Sequence, residues 1–159
     1  MNKRILIVSI IALAIDQVSK NIANWYLQLN ISKTLIKGFF NLTLCHNDGV
    51  AFSMLSNHRA IIIILTLVAL LLIYHFIFSF KDNMRNSIAF GLLMGGLGGN
   101  LIDRVINGYV IDFFDFMIFK YDFPVFNMAD VCIVCGVILL AIAIIKGEEV
   151  HGNKSKGTK

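Results

Sequence analysis

Two aspartates in apolar surroundings are the residues of this sequence best suited to acid–base chemistry. Asp112 lies among Val, Ile and Phe in the segment Tyr109–Phe114, and Asp130 lies in the apolar stretch Met128–Cys132. Two carboxyl groups that lie close together do not both ionise readily, so they share a proton. One carboxylate can then take a proton from water while the other carboxyl gives one to a carbonyl oxygen. If the two side chains meet, they predict peptide hydrolysis without a metal or a covalent intermediate.

Five further polar residues occur at the ends of apolar segments, where an ionisable side chain is costly and marks function by default. Asp16 and Lys20 are four residues apart on one helix face. They fit either a local ion pair at the membrane edge or support for a polar site. Asn100, Asp103 and Arg104 share a second helix face. These three residues could form a polar wall beside the reacting groups. The alternative is a purely structural ion pair between Asp103 and Arg104.

Three more polar residues have simpler structural explanations. Asn127 precedes Asp130 by three residues, at the predicted start of a helix, where an Asn side chain can cap free backbone amides. Asp115 and Asp122 have a less apolar setting than Asp112, so we expect both to be solvated. An N-cap role for Asn127 does not exclude a role in the site.

Other hydrolytic chemistries find less support in the sequence. No H-E-x-x-H motif occurs. The four histidines are scattered along the chain: His46, His58, His75 and His151. We therefore expect neither a metal nor a cofactor. Ser53 and Ser56 have no evident base, and a pairing with Lys20 has no support beyond the presence of the lysine. The carboxyl pair is therefore the preferred hypothesis.

Four long apolar segments predict the elements that position these residues. Of the 159 residues, 57% are hydrophobic and mean hydropathy is +0.76, whereas soluble domains are about 45–50% apolar. A bilayer-spanning helix needs about 20 mainly apolar residues, and such segments lie at about 5–27, 60–80, 88–105 and 129–145. We expect an all-α polytopic membrane protein with a single domain, 1–159.

The connections between the spans are predicted to differ in character. Residues 28–58 carry strand-like residues at 39–44 and a turn at 47–49, which predicts a small extracytoplasmic β-element between the first two spans. Residues 81–86 form a short polar turn. Residues 107–127 mix aromatic and acidic side chains, so we expect that connection to lie in the membrane interface.

Small residues in the third and fourth spans predict close helix packing. Gly91, Gly95 and Gly99 form a doubled G-x-x-x-G ridge that lets another backbone approach. Cys132 and Cys135 form a C-x-x-C, but an odd total of three cysteines and an apolar helical setting favour packing over redox chemistry.

The distribution of charge predicts the orientation in the membrane. Eight of the fourteen Lys and Arg residues fall at the termini and in the 81–86 turn, so the positive-inside rule places both termini in the cytoplasm. The carboxyl pair then lies near the outer leaflet. The first span follows a basic start but has no A-x-A cleavage site and contains Asp16 and Lys20, so we expect it to be retained.

The basic tail does not indicate a nucleic-acid-binding protein. A nucleic-acid partner would require a basic face on a soluble domain, whereas the dense basic stretch here is confined to Lys154, Lys156 and Lys159. We expect this tail to lie near anionic membrane phospholipid.

Five segments, in order along the chain, resemble the motif blocks of lipoprotein signal peptidase, also called signal peptidase II: Asp16–Lys20, Asn47–Phe52, Gly98–Arg104, Val110–Phe113 and Phe126–Asp130. Each block alone is a weak signal, but the five together are highly specific. No polar motif position departs from the pattern, and Val50 and Ile111 are mild variants of apolar positions.

The resemblance implies a four-helix inner-membrane aspartyl endopeptidase with an extracytoplasmic β-cradle and a catalytic pair matching Asp112 and Asp130. It implies cleavage of prolipoproteins just before a diacylglyceryl-modified cysteine, and inhibition by the cyclic lipopeptide globomycin. It also implies that eight further positions in the blocks support the site or bind substrate: Asp16, Lys20, Asn47, Gly49, Asn100, Asp103, Arg104 and Asn127.

Two other functions remain as alternatives. A small proton-coupled transporter also uses carboxylates in the membrane, but carriers usually place them near the midplane and often have two similar halves. A non-catalytic assembly subunit would tolerate neutralisation of both aspartates. Cleavage of a lipidated precursor distinguishes the peptidase from both.

Overall fold

The computed structural model describes residues 2–49, 58–119 and 121–150. Val50 to Phe52 of the second motif block, Ser53, Ser56 and the tail lysines lie outside the described residues. Within these ranges the chain forms four α-helices: α1 (Lys3–Tyr26), α2 (Arg59–Phe76), α3 (Met84–Ile106) and α4 (Met128–Ile145). A short 3-10 turn, Ile77–Ser79, extends α2. The four helices match the four predicted segments to within about four residues at each end.

Three of the helices are long and apolar enough to cross a membrane: α1, α2 with its 3-10 extension, and α4. The remaining helix, α3, carries the glycines and the polar residues Asn100, Asp103 and Arg104. It is also the most enclosed helix, because α1, α2 and α4 all pack against it. A helix surrounded by protein does not need the apolar surface that lipid demands, which explains its lower hydropathy.

The glycine ridge of α3 packs against α1, as predicted. A Cβ atom added to Gly95 would lie 2.7 Å from the Cβ of Ala12, and one added to Gly99 would run into the carboxylate of Asp16. Gly91 makes an equally close approach to α1 one turn earlier. The ridge therefore brings the polar end of α1 directly onto α3.

A second set of small residues joins α3 to α4. A Cβ added to Gly96 would lie 2.6 Å from the carbonyl oxygen of Ala129, and one added to Gly136 would lie 2.9 Å from the carbonyl oxygen of Ala89. Cys132 is buried near this contact, but Cys135 is exposed, so packing accounts for Cys132 alone. The close approach sets the first turn of α4 beside the polar end of α3.

The sheet is larger than the sequence predicted. Four antiparallel strands lie in the order β1 (Ser32–Ile36), β2 (Phe40–Asn47), β3 (Val110–Ile118) and β4 (Tyr121–Asp122). The first two come from the segment predicted to be a β-element, but β3 and β4 come from the α3–α4 connection, where no strand was predicted. The predicted β-element between the first two spans is therefore present as β1 and β2, but it supplies only two of the four strands of the sheet. Two acidic residues three positions apart, Asp112 and Asp115, hid the strand pattern of β3, although its aromatic and β-branched residues favour a strand.

Candidate active site

Asp112 lies on β3, where it pairs with Cys45 of β2. Its carboxyl group is 3% exposed. One oxygen, Oδ1, accepts a hydrogen bond from Asn127 Nδ2 at 2.6 Å, and the other accepts one from Asn47 Nδ2 at 2.9 Å. Both oxygens are thus held in fixed directions by amide donors from two different elements.

Asp130 lies in the first turn of α4. Its Oδ2 accepts the backbone N–H of Asn127 at 3.1 Å, and the Asn127 side chain in turn accepts the N–H of Asp130. The predicted N-cap role of Asn127 is therefore confirmed, as half of a reciprocal capping box. Asp130 Oδ1 accepts from Asn100 Nδ2 at 2.9 Å. Because Asn127 also donates to Asp112, one asparagine joins the two carboxyl groups.

Both carboxyl groups line one cavity of about 660 Å³. Its polar lining comes mainly from these two acids together with Asn47, Asn100 and Arg104. The rest of the wall is mainly apolar and comes from α2, α4 and the segment 123–126. A largely apolar cavity with a few convergent polar groups is typical of a site that binds an organic ligand.

The environment of Asp112 raises the pKa of its carboxyl group towards neutral pH. The pKa of its carboxyl group is raised from 3.8 to about 7, chiefly by burial and in addition by the neighbouring Asp130. Hydrogen bonds from Asn47 and Asn127, and the charge of Lys20, act in the opposite direction. A raised pKa means that the proton is lost only as the pH rises through about 7. The pair of acids therefore retains a proton under conditions where a free aspartate has none.

Lys20 is the buried cation behind this pair. Its ammonium group is 1% exposed and lies 2.8 Å from Asp16 and 2.9 Å from Asp103. It also donates to Asn100 Oδ1 at 2.8 Å. Since an ammonium group can only donate, this contact fixes the orientation of the Asn100 amide and turns its NH₂ group towards Asp130. The predicted Asp16–Lys20 ion pair is present, and it belongs to a network that reaches the carboxyl pair.

Asp103 and Arg104 do not pair with each other, contrary to the structural alternative considered above. Consecutive residues of a helix point about 100° apart, and these two side chains diverge. Asp103 pairs with Lys20 and accepts the N–H of Ile111 at 3.3 Å. Arg104 donates to the carbonyl oxygens of Gly49 at 2.8 Å and Asn100 at 3.3 Å. Arg104 thus holds the end of the β2 segment next to the cavity.

Sequence reasoning missed the contacts of two residues at the start of this network. Asp16 accepts the backbone N–H of Ala129 at 2.9 Å, so a side chain of α1 caps an amide of α4. Gln17 donates to Asp16, to Asp103 and to the carbonyl oxygen of Gly99. For Gln17, the one signal in the sequence was a polar residue next to Asp16. Nothing in the local sequence could reveal the contact of Asp16 with α4.

The remaining two acids differ in their surroundings. Asp122 is exposed, as predicted. Asp115 is half-buried on β3, less enclosed than Asp112, and accepts hydrogen bonds from Thr43 at 2.5 Å and from Asn41 at 3.5 Å. Across the described ranges, no three His, Cys, Asp or Glu side chains come together where they could hold a metal ion.

Known proteins match nearly the whole chain. A family model described as signal peptidase (SPase) II matches residues 8–146. A lipoprotein signal peptidase of Staphylococcus haemolyticus (strain JCSC1435) is 42% identical over 142 residues, which is 89% of this chain and 90% of the relative. One from Staphylococcus aureus (strain bovine RF122 / ET3-1) is 37% identical over 155 residues, 97% of this chain and 94% of the relative.

Solved structures agree. A bacterial membrane enzyme determined by the in meso method at 2.3 Å resolution superimposes with a TM-score of 0.81 at 35% identity, over 98% of this chain and 93% of that one. A second, at 1.9 Å resolution, gives a TM-score of 0.78 at 37% identity, over 89% and 92%. With its helices, its small antiparallel sheet and its polar cluster of acids, this chain belongs to the signal peptidase II family of aspartic-type membrane peptidases.

Proposed function

We propose that this member of the signal peptidase II family cleaves lipoprotein precursors with Asp112 and Asp130 as a proton-sharing pair. The observation that carries the proposal is that both carboxyl groups line one largely apolar cavity and are joined through Asn127. A transporter is not favoured, because the relatives are peptidases. Removing a lipoprotein signal peptide requires hydrolysis of a peptide bond, and this pair of acids can catalyse it.

The proposed reaction uses one proton held between two acids. The ionised carboxylate takes a proton from a water molecule as the water oxygen bonds to the peptide carbonyl carbon. The protonated carboxyl gives its proton to the carbonyl oxygen. The C–N bond then breaks as its nitrogen takes a proton from the pair, and the carbonyl re-forms as one of the two hydroxyl groups on that carbon returns its proton to the pair. The pair ends the cycle with the single proton with which it began, and the pKa of about 7 at Asp112 suits this exchange at neutral pH.

The surrounding residues are proposed to hold the pair in register. Asn47 and Asn127 fix the two oxygens of Asp112, and Asn100 fixes Asp130. Behind them, Lys20 supplies a positive charge close to the acids and sets the Asn100 amide. Hydrogen bonds from several fixed partners keep the geometry of the two acids through the reaction.

Four other residues complete the proposed support: Asp16, Gly49, Asp103 and Arg104. Asp16 and Asp103 flank Lys20 and link α1 to α3 and α4. The guanidinium group of Arg104 donates to the carbonyl oxygen of Gly49 at the cavity wall. We expect this contact to fix the backbone that binds the extended substrate.

The substrate is proposed to be a prolipoprotein whose cysteine carries a diacylglyceryl group, with the scissile bond on the N-terminal side of that cysteine. The apolar wall of the cavity, contributed by α2 and α4, suits a lipid-bearing peptide that enters sideways from the bilayer. We expect globomycin, a cyclic lipopeptide, to occupy the same cavity and block it. Membrane phospholipid is the expected solvent of the helices.

We further infer that the chain is one domain of the bacterial cytoplasmic membrane in which α3 is the fourth span. Both termini face the cytoplasm, and the sheet and the acids lie near the outer leaflet. In intact cells, a cysteine at Ser32 should react with an impermeant thiol reagent, and one at Asn83 should not. The reverse pattern would rule out this orientation.

Cleavage of a purified lipidated precursor in nanodiscs tests the chemical proposal. Asp112→Asn and Asp130→Asn keep the shape of the carboxyl group but cannot exchange its proton, so each should lose at least about 10²–10⁴-fold in rate. The double variant should be little worse than either single variant, because the two act as a unit. Asp122→Asn, at an exposed acid, is the matched control. Substantial cleavage by either single variant that still binds globomycin would end the proposal.

A further inference from the structure

A second cavity, of about 380 Å³, lies at the opposite end of the helices from the acids. The C-terminal halves of α2 and α4 form much of its wall. Its lining is mainly apolar and includes Ile73, Phe76, Leu140 and Ile144, and its polar residues are Ser79 and the acid Glu149. The proposed reaction does not use this cavity.

The two cavities lie along the same faces of the same two helices. On α2, Thr66 lines the cavity of the acids and Ile73 lines the second one; on α4, Ile133 and Leu140 do the same. Each pair is seven residues apart, which is two helical turns, or about 10.5 Å. α2 packs mainly on α3, makes few contacts with α4 and buries only Ile62 fully, so α2 and α4 do not close over the stretch between the two cavities. This stretch is called the α2–α4 cleft.

The acid of the second cavity is free to bind a ligand. Glu148 is engaged by Arg85, with which it forms an ion pair. Glu149 is exposed, and in the part of the chain that the structure describes its side chain forms no ion pair or hydrogen bond, even with the nearby cations Lys81 and Lys146. A carboxylate at the end of an apolar cleft matches a ligand that is apolar along its length and positive at one end.

A signal peptide has this form and the right length. Such peptides carry a positively charged N-terminal region followed by an apolar segment of about 7–15 residues. From Asp130 to Ile145, α4 rises about 22 Å. An apolar helix of about twelve residues spans about 18 Å, and a few extended residues of about 3.3 Å each complete the distance to the acids. The positive end then lies beside Glu149.

We propose that the α2–α4 cleft binds the apolar helix of the signal peptide and that Glu149 binds its positively charged N-terminal region. This inference rests on the proposed function and adds a binding site for the end of the substrate that is remote from the scissile bond. Binding at this end fixes the depth of the peptide in the cleft. It therefore helps to set which peptide bond reaches Asp112 and Asp130.

The test exchanges charge on both partners. Three lipidated precursors, with lysines, glutamines or glutamates in the N-terminal region, are cleaved in zwitterionic nanodiscs at low salt. The native enzyme should prefer the lysine precursor. Glu149→Gln should lose about threefold in kcat/KM on that precursor, and Glu149→Lys about tenfold while gaining on the glutamate precursor. High salt should reduce these differences, because exposed charges are screened.

Asp82→Lys is the matched control, because it reverses a charge at the same end of the helices but lines a different cavity. It should keep the native order of preference. If Glu149→Lys cleaves the three precursors in the native ratio, or loses activity equally on all three, the inference is wrong; either result would be expected if lipid alone fills the cleft. Asp112→Asn separates the two proposals. If cleavage does not depend on the charge of the precursor but is still lost in Asp112→Asn, this inference is overturned and the proposed function stands.

Discussion

Removing the side chain of Asn47 should move the pH dependence of cleavage in a predictable direction. Asn47 Nδ2 donates to Asp112 Oδ2 at 2.9 Å, and this bond stabilises the charged carboxylate. It is one of the influences that hold down a pKa which burial has raised to about 7. In Asn47→Ala the carboxylate loses this donor, so the proton is held more tightly and the pKa of Asp112 rises further.

The size of the shift follows from the strength of the bond. A hydrogen bond to a charged group is worth about 1.5–3 kcal/mol, and one pKa unit corresponds to about 1.36 kcal/mol. The basic limb of the pH–kcat/KM profile reports loss of the proton shared by the pair. We expect this limb to lie near pH 7 in the native enzyme and about one unit higher in Asn47→Ala, because Asn47 is only half-buried.

The assay is kcat/KM for a lipidated precursor in nanodiscs, measured from about pH 5 to pH 9. Asn41→Ala is the matched control, because Asn41 lies on the same strand and donates to Asp115, outside the cavity. The control should leave the basic limb in place. A limb that stays fixed or moves to lower pH in Asn47→Ala would refute the assignment of the shared proton to this site, whatever happens to the maximal rate.

Three further substitutions test the packing and charge behind the acids. Gly99→Ala places a Cβ against the Asp16 carboxylate and should destabilise the protein by about 1–3 kcal/mol in thermal unfolding. Gly98→Ala places its Cβ in open space and should leave the stability unchanged, so equal effects of the two substitutions would contradict the packing. Lys20→Met leaves two buried carboxylates without a cation, at a cost of about 3–5 kcal/mol, and an unchanged Tm would disprove the buried network. Arg104→Lys should lower kcat/KM, because an ammonium group cannot span the two carbonyl groups that the guanidinium contacts; an unaltered value would make it a simple membrane-edge charge.

The four helices and the two aspartates were accessible from the sequence because the signals are local. Runs of apolar residues set the helices, and glycines spaced by four residues predicted the ridge that packs on α1. Asp112 and Asp130 stood out because an acid among apolar neighbours is expensive wherever it lies. Motif order supplied the family, which the comparisons confirm. The catalytic roles and the orientation in the membrane remain predictions.

The partners of these residues were decided by the tertiary structure. Asp103 pairs with Lys20 and not with its neighbour Arg104, because helix geometry turns adjacent side chains apart and the approach of α1 brings the lysine close. The strand that carries Asp112 was missed, since its pairing with β2 joins segments more than sixty residues apart. The pKa of Asp112 likewise depends on burial by elements distant in sequence. Local patterns specify which groups are present, but distances between groups on separate elements arise when those elements pack.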